Sequence, residues 1–185
     1  MSNSSRIKKI AIIGPESSGK SMLCEKLSTH YKTLWCPEYA RTYLKDRGTG
    51  YQYEDLLHIA KGQLQLEDDY TSKLAEQTVS SILFVDTDMH VMKVWCEYVF
   101  QQCHKFILDQ IALRTYDAYL LCKPDIPWVQ DDLREYPDET TRQTLYHYYK
   151  DLMVNQCAPW VEIEGDYNER TRKAVEFVEG VSSEL

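Results

Sequence analysis

Apolar residues fall along this chain in short blocks that alternate between two rhythms. Lys9-Ile10-Ala11-Ile12-Ile13 is a dense block stopped by Gly14, which predicts a buried strand. Residues 19–31 place Leu23 and Leu27 on one helical face. Residues 33–36 predict a second, short strand, ended by Pro37. Residues 53–78 carry a helical period through Leu56, Ile59, Ala60, Leu64 and Leu74, as one helix or as two, because Gly62 weakens the middle. Residues 81–85 predict a strand that runs out at Asp86, and 91–116 a helical stretch in two pieces. A fourth strand covers 118–122, closed by Lys123-Pro124. The stretch 125–138, rich in Pro, Asp and Arg, predicts a surface loop. Residues 140–154 predict a helix, 160–164 a last strand and 169–178 a last helix. The polar ends, 2–5 and 182–185, are expected to fray.

Five strands alternating with helices predict an α/β fold: a five-stranded parallel sheet with helices on both faces, the three-layer arrangement of P-loop NTPases. The 185 residues suit one domain over 1–185, with no repeat and no internal boundary.

Composition narrows the class. The chain is 43% hydrophobic and 27% charged, a globular balance. A net charge of −8 argues against a nucleic-acid or anionic-membrane surface. No apolar run approaches the ~20 residues of a membrane span, and no signal-peptide core follows the polar start, so a cytoplasmic location is expected. The six cysteines form no C-x-x-C pair and the histidines no H-E-x-x-H, which predicts reduced, mostly buried thiols and no zinc or histidine metal site.

The chemistry begins at Gly14-Pro15-Glu16-Ser17-Ser18-Gly19-Lys20-Ser21, a full G-x-x-x-x-G-K-[ST] between an apolar strand and an amphipathic helix. Such a loop turns successive backbone N–H groups, and the following helix's positive end, toward phosphate oxygens. Lys20 is expected on the β- and γ-phosphates and Ser21 on Mg²⁺, with Met22 among the ATP-binding residues. The buried strand ending at Asp86 supplies the acid expected beside the metal. Asp88 reads equally as a second functional carboxylate and as the cap of the next helix. There is no D-x-x-G after this strand and no N-K-x-D, so ATP is expected and not GTP.

An acceptor site needs its own groups. Glu38, just past the second strand, is placed to take the proton of an attacking hydroxyl, and Arg41 shares its face of a short helix. Alone, the two read as a surface ion pair. The loop after the fourth strand carries Trp128 and Arg134, with Arg142 beyond it. It reads as an arginine-bearing lid over about 125–142, with Trp128 either on a planar ring or as a hinge anchor. Asn168 borders a possible adenine site or caps the last helix.

Taken in order, GPESSGKS, PEYAR, FVDTD, PDIPWVQDDLRE and GDYNER resemble the ribosylnicotinamide kinase domain of NadR-type proteins across nearly the whole chain. That resemblance implies a P-loop nucleoside kinase moving the ATP γ-phosphate to the 5′-hydroxyl of nicotinamide riboside, for NAD supply. It implies Lys20 and Ser21 as phosphate and Mg²⁺ residues, and Glu38, Asp86 and Asp88 as acceptor or metal carboxylates. It further implies Trp128 as a ring contact and Arg134 as a lid residue. Asp132 stands where such proteins often carry glycine, a departure inside the lid. No H-x-G-H nucleotidylyltransferase signature is present, so a stand-alone kinase is expected. Another nucleoside kinase and a non-catalytic ATP-binding regulatory module are the competing readings.

Overall fold

The computed structural model describes residues 6–45, 47–77 and 80–184, with the side chains of 182–184 left aside. The expectation for residues 2–5 lies outside the described residues; at the other end the last helix runs on to Glu184.

The apolar blocks become five parallel strands: β1 (Lys8–Ile13), β2 (Trp35–Cys36), β3 (Ile82–Asp86), β4 (Ala118–Cys122) and β5 (Trp160–Ile163). Their spatial order is β2-β3-β1-β4-β5, with β1 central between β3 and β4. The chain turns from one side of β1 to the other, so a crevice opens at the carboxyl end of β1, where ligands of open α/β sheets sit.

The pleat divides the core by parity. Ile10, Ile12, Phe84, Leu120 and Cys122 face α1 (Lys20–Tyr31) and α7 (Tyr167–Glu184). Ala11, Ile13, Val85, Tyr119 and Leu121 face α3 (Tyr53–Glu76), α4 (Met89–Phe100) and α6 (Glu139–Val154). Two buried faces explain why the strands lack polar alternation. A third cluster joins α2 (Tyr39–Leu44), α3, α4 and α5 (Lys105–Leu113) beside β2.

Local chemistry sets the boundaries. Helix α3 opens on a reciprocal capping box between Gln52 and Asp55 and runs unbroken through Gly62. Glycine at 62 is a packing requirement: a Cβ there would lie 2.1 Å from the Tyr39 ring, which rests on the α3 backbone. The helical stretch 91–116 does divide, where Gln101 turns left-handed (φ 56) after α4. The segment between β4 and α6 has no helix or strand, and Asp138 starts α6 by accepting the Thr141 N–H. No helix among the described residues is long and apolar enough to cross a membrane. The described cysteines are all free, four of them buried.

Candidate functional site

At the carboxyl end of β1 the backbone must reverse within a narrow space. Gly14 has φ 140, and a Cβ there would stand 2.5 Å from the Cys122 carbonyl oxygen of neighbouring β4. Only glycine fits such a turn. The Ser18 hydroxyl donates to the Pro15 carbonyl at 2.7 Å and closes the loop. Ser17 is held left-handed at φ 54. Helix α1 starts at Lys20 after Gly19, with no side chain capping it, so its first N–H groups are left for a ligand. The Lys20 ammonium bends back over the loop to the Gly14 and Pro15 carbonyls, at 3.0 and 2.9 Å.

A buried arginine braces this loop from behind. Arg170, on α7, is 2% exposed. Its guanidinium donates to the carbonyls of Ser18 (2.9 Å), Lys123 (3.0 Å) and Gly165 (2.7 Å), and pairs with the Asp125 carboxylate. One side chain thus joins the loop after β1, the end of β4 and the turn after β5.

Asp86 ends β3 beside α1. Its Oδ2 accepts the Ser21 hydroxyl at 2.5 Å, and its buried Oδ1 has no partner among the described residues. Burial pushes this carboxyl up, the Glu38 carboxylate adds to the shift, and Lys20 and the Ser21 bond oppose it, leaving a pKa of about 6. A carboxylate held at such a cost, with one oxygen orphaned, is a group waiting for positive charge. No group of three or more His, Cys, Asp or Glu that could hold a metal by itself occurs among the described residues.

Glu38 precedes α2 and Arg41 follows one turn later. The Arg41 Nε lies 3.5 Å from Glu38, and its Nη1 is 2.9 Å from Asp131 in the loop after β4. Both line a cavity of about 620 Å³ that begins at the P-loop. Gly14 through Met22, Asp86 and Arg134 line it too. Tyr51, Trp95, Tyr98, Leu133 and Glu135 also line it.

The loop after β4 is tied down by the P-loop itself. The Glu16 carboxylate accepts the backbone N–H groups of Glu135 (2.9 Å) and Tyr136 (2.6 Å), and the Trp128 indole N–H at 3.5 Å. The Ser17 hydroxyl accepts the Val129 N–H at 3.2 Å. Within the loop Arg134 Nη1 donates to the Val129 carbonyl, and its buried Nε has no partner among the described residues.

Three residues expected at the site lie away from the cavity in this arrangement. Asp88 does not line the cavity: it is 1% exposed and caps α4, its Oδ1 accepting from His90 and Val91 and its Oδ2 lying 2.6 Å from His90 Nδ1. Burial alone would lower the His90 imidazole's pKa, but the Asp88 carboxylate outweighs it and the net shift is upward. Trp128 is spent on Glu16 and is absent from the cavity wall. Asn168 is exposed on the first turn of α7, and its neighbour Tyr167 takes the wall position near Gly19. Arg142 is buried on α6 with Nε and Nη1 unpartnered, apart from the cavity wall.

Sequence reasoning missed Arg170 as a brace, and Tyr51, Trp95 and Glu135 as walls. Tyr51 and Trp95 carry no motif, Arg170 was seen only as the end of GDYNER, and Glu135 only as the tail of the loop sequence.

Comparison with known proteins fits this geometry. A family model described as an AAA domain matches residues 9–170. The trifunctional NAD biosynthesis/regulator protein NadR of Salmonella typhimurium is 29% identical over 183 residues, covering 96% of this chain and 43% of that protein. The chain therefore spans less than half the length of this curated relative. A crystal structure of a NadR protein in complex with NR superposes with a TM-score of 0.76 at 22% identity, over 95% of this chain and 51% of that one. A second NadR structure, with NAD and AMP-PNP, gives 0.71 at 21% identity, over 95% and 49%. At these identities the structural likeness establishes the fold, a three-layer P-loop arrangement.

Proposed function

Because the chain belongs to the AAA domain family, whose model spans the P-loop and the cavity carboxylates within residues 9–170, we propose that it is an ATP-dependent kinase of nicotinamide riboside. The reaction moves the ATP γ-phosphate to the riboside 5′-hydroxyl and gives nicotinamide mononucleotide and ADP. The supporting observation is one cavity lined by a polyphosphate cradle, a carboxylate–arginine pair and several aromatic side chains. An NTP-binding module without an acceptor would not need the last two. The NadR relative and the NR- and AMP-PNP-bound structures support both substrates.

In this reading the P-loop N–H groups and the α1 terminus hold the β- and γ-phosphates, and Lys20 swings from the loop carbonyls to the oxygen bridging them. Ser21 Oγ and the orphaned Asp86 Oδ1 fit a Mg²⁺ ion, Asp86 acting directly or through a metal-bound water. When bound, Mg²⁺ would neutralise charge on the β- and γ-oxygens. Glu38 accepts the 5′-hydroxyl proton as the oxygen attacks phosphorus. Arg41, 3.5 Å from Glu38, orients that carboxylate and adds positive charge near the transferring group. The segment 125–138, between β4 and α6, closes over the nucleotide with Arg134 on its inner side and excludes water.

The test is ADP release with ATP·Mg²⁺ across a panel of nucleosides, in the wild type and in Glu38→Gln. Release that depends on nicotinamide riboside, with kcat falling at least about a hundredfold in Glu38→Gln and ATP binding kept, supports the reading. Dependence on a different nucleoside reassigns the acceptor, and release indifferent to any acceptor favours a regulatory ATP-binding module.

A further inference from the structure

One carboxylate on the cavity wall, that of Glu135, stands beside aromatic side chains with no cation paired to it among the described residues. Glu135 stands among Tyr51, Trp95, Tyr98 and Leu133. Its Oε2 accepts the Tyr51 hydroxyl at 2.8 Å, and that hydroxyl accepts the Trp95 indole N–H at 2.9 Å. The chain Trp95→Tyr51→Glu135 fixes the carboxylate's rotamer and uses one oxygen. Among the described residues the other oxygen, Oε1, makes no hydrogen bond, and no Lys, Arg or His forms an ion pair with Glu135. The cations on the cavity wall are engaged elsewhere: Lys20 at the P-loop, Arg41 on Glu38 and Asp131, Arg134 on its own loop. The charge that acts most on Glu135 is the Glu16 carboxylate, which like burial pushes its pKa up while the Tyr51 bond pulls it down.

An unbalanced carboxylate among aromatic walls is a selective feature, because low polarity strengthens every charge contact made there. It attracts a cationic ring and an N–H donor. It repels a carboxylate placed at the same spot, and a ligand bringing one would leave two like charges facing each other. Resting on the kinase reading above, we infer that Glu135, held by Tyr51, is the residue that selects the acceptor by charge, taking the amide form of the pyridinium riboside and refusing the acid form. The amide form carries a net positive ring and an NH₂ donor for Oε1. The acid form is a zwitterion whose carboxylate would meet Glu135.

The experiment measures kcat/KM for nicotinamide riboside and for nicotinic acid riboside, at saturating ATP·Mg²⁺, in the wild type, Glu135→Gln and Tyr51→Phe. Glutamine keeps the size and the bond to Tyr51 but removes the charge. The wild type is expected to favour the amide by about tenfold or more, near 1.4 kcal/mol. Glu135→Gln is expected to bring the ratio close to one, mainly by improving the acid form, while the KM for ATP stays within about twofold. Tyr51→Phe, which frees the carboxylate to turn, is expected to fall between. Equal use of both ribosides by the wild type overturns the inference and leaves the kinase reading standing. So does a wild-type ratio retained in Glu135→Gln. Turnover of neither riboside removes the kinase reading, and the inference with it.

Discussion

The Ser21 hydroxyl is bonded to Asp86 across 2.5 Å, and the other oxygen of that carboxylate is buried without a partner among the described residues. The pair spans α1 and β3 and sets a conflict between stability and use. The Asp86 pKa lies near 6, above its ordinary 3.8, so the folded state holds this proton more tightly than the unfolded chain. Stability from this group is therefore present below about pH 4 and is lost as pH rises toward 6, by roughly 3 kcal/mol in all. Asp86→Asn removes that cost. The ligand-free variant is expected to melt higher than the wild type at about pH 8, with the margin shrinking toward about pH 4, while turnover drops at least about a hundredfold. Paired thermal melts and rates check it; a variant that melts lower at pH 8 would contradict it.

Activity should follow the same ionisation. Below about pH 6 the protonated Asp86 no longer offers an anionic oxygen beside Ser21. The Mg²⁺ concentration needed for half-maximal rate is expected to climb as pH falls through about 6, and to be flat above about 7. Mg²⁺ titrations at several pH values read this directly.

Glu16 does a job that glutamine cannot copy. Its two oxygens accept the N–H groups of residues 135 and 136. A glutamine would turn an NH₂ toward one of them. In Glu16→Gln the loop is expected to loosen, and water to reach the phosphates. ADP release without acceptor should then rise severalfold relative to release with acceptor. Hydrogen exchange at residues 135 and 136 should quicken as well, which separates loop loosening from a damaged P-loop.

Arg170→Met tests the brace. The change leaves three carbonyls and Asp125 without their donor inside the loop support. A loss of about 3 kcal/mol is expected in urea unfolding, together with a raised KM for ATP, since the Ser18 carbonyl belongs to the P-loop.

Gly62→Ala separates propensity from packing. Alanine would add up to about 1 kcal/mol to a plain helix interior. Here the new Cβ meets the Tyr39 ring at 2.1 Å, and Tyr39 directly follows Glu38. The expected result is a net loss of stability, with kcat reduced more than ATP affinity. A stabilised, fully active variant would show that Tyr39 moves aside freely.

How far the sequence carries can be judged on these same residues. The strands were legible because burial on both faces leaves no polar alternation in blocks such as 9–13 and 118–122. The P-loop was legible because Gly14 and Lys20 answer to local backbone geometry. The strand order β2-β3-β1-β4-β5 was not, since it depends on where each helix crosses. Gly62 read as a possible break because its reason, the Tyr39 ring, arrives from another helix. Asp88 read as cap or catalyst because both want a carboxylate before a helix, and its bonds to the His90 and Val91 N–H groups are those of a cap. Arg170 was legible as the end of GDYNER but its bracing role was not: an arginine in a helical run looks like a solvated face until four acceptors surround it.

The most direct test of the central claim is the product balance of a single reaction. The protein would be mixed with ATP·Mg²⁺ and nicotinamide riboside, with ADP measured by chromatography and the nucleoside product by mass. One nicotinamide mononucleotide per ADP, absent in Lys20→Ala, is the expected result. ADP formed without mononucleotide, or a mononucleotide yield that Lys20→Ala leaves near normal, would contradict it.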